Sequence, residues 1–149
     1  MSYSLETLES AKLLELVARN AQTPMGHRRL LGLRPMTDRR ALEQSLAAIA
    51  ETIGLNEEKQ VSWTFSGLED PSDAVAILKI RNASLEPNRL LELSRVCNQA
   101  IFVRSAVQPE KDFAPTLWEI VEAIPPTLLT VVGKITKKLL PGGEVDDSA

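Results

Sequence analysis

Glu86-Pro87-Asn88-Arg89-Leu90-Leu91-Glu92-Leu93-Ser94-Arg95-Val96-Cys97-Asn98-Gln99-Ala100-Ile101-Phe102-Val103-Arg104-Ser105-Ala106-Val107 decides how the rest of the chain is read. Proline next to its start costs no backbone bond, because the first helical amide has no partner anyway. No glycine and no second proline interrupts the run. Its apolar positions, including Leu90, Leu91, Leu93, Val96, Cys97, Ala100, Ile101 and Val103, cover more than half of a helix circumference. A helix so apolar is expected to be buried on more than one face, so other helices must gather around it.

Working outward, the neighbouring segments have helical spacing and helical punctuation. Leu5, Leu8, Leu13, Leu16 and Val17 mark a first helix, capped at Ser4 or Thr7. Thr23-Pro24 opens a second, with a hydroxyl for the orphan amides and proline at the first position. It ends near Leu33, because Pro35 disfavours a helical Arg34. Thr37 can cap a third helix whose stripe, Leu42, Leu46, Ile49 and Ile53, fits a buried seam. Gly54 and Asn56 weaken its far end.

Residues 60–67 have a strand flavour in Val61, Trp63, Thr64 and Phe65, but no second strand is evident, so an extended loop is expected. Asp70-Pro71-Ser72-Asp73 opens a fourth helix to about Arg81. After the long helix, Ala114-Pro115 starts a sixth, with Leu117, Ile120, Val121 and Ile124 inward, and Pro125-Pro126 breaks it. A seventh carries Leu128, Val132, Ile135 and Leu139, and Pro141-Gly142-Gly143 ends it. The expected fold is all-α, about seven helices in one domain over residues 1–141, with 142–149 as a linker.

Composition narrows the function. Of 149 residues, 44% are apolar and 25% charged, the balance of an ordinary globular protein. A net charge of −3 argues against a surface generally coated by nucleic acid, though not against a local basic patch. One cysteine excludes an internal disulfide, and one cysteine with one histidine disfavours structural zinc. No apolar run is long enough to span a membrane, and the first residues lack the pattern of a signal peptide. A cytoplasmic protein fits these features.

No phosphate loop Gly-x-x-x-x-Gly-Lys-[Ser/Thr] occurs; Gly133-Lys134 is followed by Ile135 and lacks the upstream glycine. No nucleophile, base and orienting acid can be grouped on spacing. Cys97 on the apolar face of the long helix reads as a small buried hydrophobe. Glu69, Asp70 and Asp73 read as helix-start carboxylates. Lys134, Lys137 and Lys138 suit the negative end of the last helix dipole. Trp63 and Phe65 either stack bases or fold back onto the core.

One charge constellation remains: His27, Arg28, Arg29, Arg34, Arg39 and Arg40, opposed locally by Asp38 alone. Guanidinium forks suit phosphate or carboxylate pairing, so Arg28, Arg29, Arg39 and Arg40 are the candidate nucleic-acid phosphate contacts. The plain alternative is a solvated helix–turn–helix corner, with the arginines paired to acids of neighbouring helices. His27 is likewise a phosphate-contacting group or a solvated surface side chain.

Several short segments come in the order found in one family. They are Leu8-Glu9, Ala21-Gln22-Thr23-Pro24-Met25-Gly26, Leu33-Arg34-Pro35 with Thr37-Asp38, Phe65-Ser66-Gly67-Leu68 with Asp70, Leu85-Glu86-Pro87 with Leu90, and Gly142-Gly143-Glu144-Val145-Asp146-Asp147-Ser148-Ala149. Together they resemble the type-two paralogue of the bacterial MutS ATPases, proteins that often carry a C-terminal Smr nuclease domain. Arg28 and Arg29 stand where the family often has an acid, and Glu86 where it often has serine.

The resemblance implies an N-terminal part of a longer protein: the first half of the core, or lever, which joins a clamp to a dimerising ATPase. It implies branched DNA, with control of recombination or repair, or stalled ribosomes, as the object of the whole protein. ATP and magnesium, and any endonuclease activity, would belong to the full-length protein and not to this chain. The lever of such proteins is completed by helices that return after the clamp, so the long helix is expected to keep uncovered apolar area and the chain to self-associate. A free-standing helical module that binds a partner protein is the competing reading.

Overall fold

The computed structural model describes residues 9–139. Among these, the expected seven α-helices are present, joined by turns and one extended loop, with no sheet. They are α1 (Ser10–Ala18), α2 (Pro24–Leu31), α3 (Arg39–Glu58), α4 (Ser72–Leu78), α5 (Pro87–Val107), α6 (Pro115–Val121) and α7 (Leu128–Lys138). The proposed caps Ser4 and Thr7 and the linker 142–149 lie outside the described residues.

The start signals act through identifiable bonds. Thr23 Oγ1 accepts the Gly26 amide at 3.0 Å, and Pro24 and Pro87 occupy first helical turns as expected. At α3 the cap is Asp38, not Thr37: Asp38 Oδ1 accepts the amides of Arg40 (2.9 Å) and Ala41 (3.2 Å). A carboxylate at this place also meets the positive end of the helix dipole, an advantage a hydroxyl lacks. Asp70 works two residues ahead of the start of α4, accepting both the amide and the hydroxyl of Ser72. That helix is shorter than expected and stops at Leu78. Its following residues Ile80, Arg81 and Asn82 form a turn, with Asn82 at φ +64.

Gly54 does not end α3, which runs on to Glu58. The glycine is there for space. A Cβ on it would lie 2.9 Å from the Phe113 ring, so its absence admits that ring against the helix. Gln60 then takes a left-handed conformation, and the Val61 amide turns back to the Leu55 carbonyl at 2.9 Å. Residues 61–65 are the extended loop expected, and they alternate: Val61 and Trp63 pack toward the core while Ser62 and Thr64 face solvent. Gly67, at φ +78, supplies the third position of the turn Phe65-Ser66-Gly67-Leu68, closed by Leu68 N–H to Phe65 carbonyl.

The core is small. Leu55, Val103, Val107, Ala114 and Val121 form its buried centre, with Val61, Trp63, Phe113, Leu117, Trp118 and Ile124 packed around. It sits where the C-terminal halves of α3 and α5 meet α6. Glu51 of α3 fastens this joint: its two carboxylate oxygens accept the amides of Thr116 (3.0 Å) and Leu117 (2.8 Å), the orphan donors of α6. Two cations lie over aromatic rings at the same joint, Lys59 over Phe113 (5.1 Å) and Arg104 over Trp118 (5.5 Å). α5 is packed by α4, α6 and α7, which accords with its apolar circumference. α7 turns Leu128, Val132, Ile135 and Leu139 inward as read from the sequence. α1 and α2 form a separate pair, packed against each other.

Two expectations about faces are corrected. Leu42, Leu46, Ile49 and Ile53 are not a buried seam: they are 39, 56, 57 and 52% exposed. α3 meets the body through the other side, with Ala47, Ala48, Glu51, Gly54 and Leu55 inward. Ile120 on α6 is 61% exposed rather than inward, leaving Val121 to fill the core. Uncovered apolar side chains lie on α3, on Leu13 and Leu16 of α1, on Leu78 and Ile80 at the end of α4, and on Leu129 and Val131 of α7, while on α5 Phe102 alone among the large apolar side chains is exposed.

Candidate nucleic-acid interface

The arginine corner is built from two helix ends. α2 carries His27, Arg28 and Arg29 in its middle and last turns, and Arg39 and Arg40 open α3. Between them Arg34 bends its guanidinium onto the neighbouring Leu33 carbonyl at 2.9 Å. His27, Arg28, Arg29, Arg34, Arg39 and Arg40 are all exposed.

The corner is partly neutralised from within the fold. Arg28 is ion-paired to Asp70, across the chain from α2 to the start of α4. Arg39 pairs with Glu43 one turn along α3, Nε to Oε1 at 2.7 Å. Asp38 sits at the α3 cap. Arg29 and Arg40 have no ion-pair partner among the described residues, so they are the two cations of the four candidates left free for an anion. The α2 arginines and the α3 arginines thus take separate partners.

Asp70 shows how the pairing is held. Hydrogen bonds from the Ser72 hydroxyl and amide, followed by that from Arg28, hold its carboxyl down to about 2. The acid thus stays charged through the whole physiological range and fixes Arg28 in place. Its helix-start role, expected from the sequence, is joined by this second role, which only the fold reveals.

Arg29 stands differently. It borders a cleft of about 410 Å³ shared with Asn20, Ala21, Gln22, Leu33 and Phe65. Gln22 closes the bottom: its Oε1 accepts the Phe65 amide at 2.7 Å and the Thr64 hydroxyl at 3.2 Å. Phe65 is thereby presented at the cleft, 38% exposed, while Trp63 two residues earlier folds onto the core. Of these two aromatics, Trp63 folds back onto the core and Phe65 does not. Nothing in the sequence marks Gln22 for this role beyond its place in the segment Ala21-Gln22-Thr23-Pro24.

The other sequence candidates find structural places. Cys97 is half-buried on α5, and burial pushes its thiol up. Lys137 and Lys138 occupy the last turn of α7. Among the described residues no cluster of histidine, cysteine or carboxylate side chains could hold a metal ion, and no helix is long and apolar enough to cross a membrane. Compared with protein-family models, curated proteins and solved structures, the chain matches none.

Proposed function

We propose that this chain is a non-catalytic helical lever of a MutS-like, DNA-acting ATPase, and that it touches a nucleic-acid backbone through Arg29, with Arg28 and the α3 pair Arg39 and Arg40 beside it. The observation that carries the proposal is Arg29, exposed and without an ion-pair partner among the described residues, at a cleft that Phe65 also lines. A guanidinium beside an aromatic face suits a phosphate with its neighbouring base. The segments that build the cleft, residues 21–26 and 65–68, are two of those on which the family resemblance rests. ATP and magnesium act elsewhere in the full-length protein under this reading, and branched DNA or a ribosome is the object of the whole.

Phosphate pairing of this kind positions a protein and does not read bases. Binding by the chain alone is expected to be weak, indifferent to sequence and sensitive to salt. Fluorescence anisotropy with duplex, four-way junction and structured RNA at two salt concentrations tests it. Arg28→Ala/Arg29→Ala should weaken binding and lower the salt slope by about 0.9 for each duplex phosphate no longer neutralised. Equal, negligible binding by both proteins at low salt would make the corner an ordinary solvated surface.

A second reading, a helical module that binds protein, is favoured by one specific observation: the four exposed apolar side chains of α3.

A further inference from the structure

The stripe on α3 is regular enough to say what kind of partner it fits. Leu42, Leu46, Ile49 and Ile53 are spaced four, three and four residues apart, the alternation of a two-helix seam. All four are exposed on the side of α3 opposite Glu51, Gly54 and Leu55, which fasten it to α6, and Ile53 at the far end also borders a cleft with Val61 and Trp63. The seam is narrow, without the wider apolar band of a helix that lies against a globular core. It is the shape left for one more helix.

The charges of α3 indicate which helix. Arg39 and Arg40 open it, and Glu57 and Glu58 close it. No acid stands in its first turn and no base in its last. This is the reverse of what the helix dipole favours, so within one chain the arrangement is a local cost. The Asp38 cap offsets part of it at the start; elsewhere Arg39 reaches Glu43 at the exposed surface, while Lys59, just past the end, is drawn to Glu110 at 3.3 Å.

An antiparallel copy of the same helix removes the conflict. With the two-fold axis between residues 47 and 48, Leu46 meets Ile49 of the second copy and Leu42 meets its Ile53. Arg39 then lies level with Asn56 and next to Glu57 of the second copy, on the same flank of the stripe, twice over by symmetry, while Arg40 and Glu58 stand on the far side of the helix. The two dipoles also oppose. A parallel copy would set arginine against arginine and glutamate against glutamate.

We propose that the exposed face of α3 is a self-association surface, which pairs antiparallel with α3 of a second copy of this chain through Leu42, Leu46, Ile49 and Ile53 and is oriented by Arg39 against Glu57, which stand on the same flank of the stripe. The pairing engages Arg39, one of the four arginines assigned to phosphate, and leaves Arg28 and Arg29 on α2; Leu46→Gln/Ile49→Gln touches no arginine, so the surface can fail while the nucleic-acid reading stands.

Sedimentation equilibrium over a wide concentration range tests the surface, with circular dichroism confirming that each variant keeps its helices. The wild type should form a reversible dimer, loosened by added salt because the oriented charges are exposed. Leu46→Gln/Ile49→Gln, at positions already open to water, should weaken it tenfold or more. Arg39→Glu alone, and Glu57→Arg alone, should each weaken it tenfold or more, because each brings like charges together at both ends. Both reversals in one chain should bring the affinity back to within about threefold of wild type, since opposite charges again meet. A wild type that stays monomeric overturns the proposal. So does a dimer indifferent to the α3 changes, which seats on another face, or one that the double reversal fails to recover, which pairs in another direction.

Discussion

Gly54 shows how a residue can mislead by type and inform by place. In a helix interior glycine costs about 1 kcal/mol relative to alanine, so it reads as a weak point. Here it lets the Phe113 ring close onto α3 at a distance no Cβ would permit. Gly54→Ala gains helix propensity and loses packing, and overpacking costs about 1–3 kcal/mol. The net expectation is a destabilisation of about 1 kcal/mol, from the difference of those two effects. Urea unfolding would measure it; a stabilised variant would mean that the ring moves aside freely.

Asp70 is informative in the same way. Its folded carboxyl is held at about 2, below the ordinary 3.8, by Ser72 and then Arg28. A depressed acid contributes stability that is complete above its unfolded value and is lost as pH falls through the folded value. The contribution should therefore be lost between pH 3.8 and about pH 2. Asp70→Asn removes it at every pH. The stability gap between wild type and variant should shrink across that window, as followed by thermal unfolding at several pH values. A gap that stays constant would show that the Asp70 carboxyl is not held below its ordinary value in the folded chain.

At the level of elements, the α1–α2 pair and the α3–α5–α6–α7 body are tied by few groups. Gln22 holds the loop at Thr64 and Phe65, and Arg28 holds Asp70. The pair contributes one side chain, Ala18, to the buried set. An element with so little buried apolar area opens by itself before the body does. Gln22→Ala should raise amide exchange across residues 10–31 and leave α5 between 94 and 107 unchanged. Equal acceleration in both regions would show one cooperative unit.

The caps explain why most elements are legible in the sequence. Thr23-Pro24, Asp70-Pro71 and Glu86-Pro87 act over three or four residues, so sequence neighbours suffice to place them. The end of α3 is not legible, because Phe113 arrives from 59 residues away in sequence to make use of Gly54.

At the scale of the molecule, the largest buried apolar cluster among the described residues sits at one joint, and large apolar side chains stay exposed on several helices. The sequence has no phosphate loop to cradle a triphosphate, and Gly133-Lys134 lies inside α7, where amides are bonded along the helix. Titration calorimetry of the chain with Mg-ATP should show no heat of binding. A stoichiometric site of micromolar affinity would require a nucleotide fold unlike any phosphate loop and would overturn the lever reading for this chain.

Periodicity and capping are local, and they suffice for the all-α class, for seven helices in order, and for the inward face of α7. They also place the arginines on two adjacent helix ends. Periodicity groups residues on one face of a helix without saying what lies opposite. The stripe of α3 looks the same whether water, the body or another molecule covers it, and only packing from α6 on the reverse side shows that it faces outward. The arginine corner follows the same logic. Sequence supplies the cations, but whether each is free depends on acids brought from elsewhere, and the fold brings Asp70 to Arg28 while leaving Arg29 open.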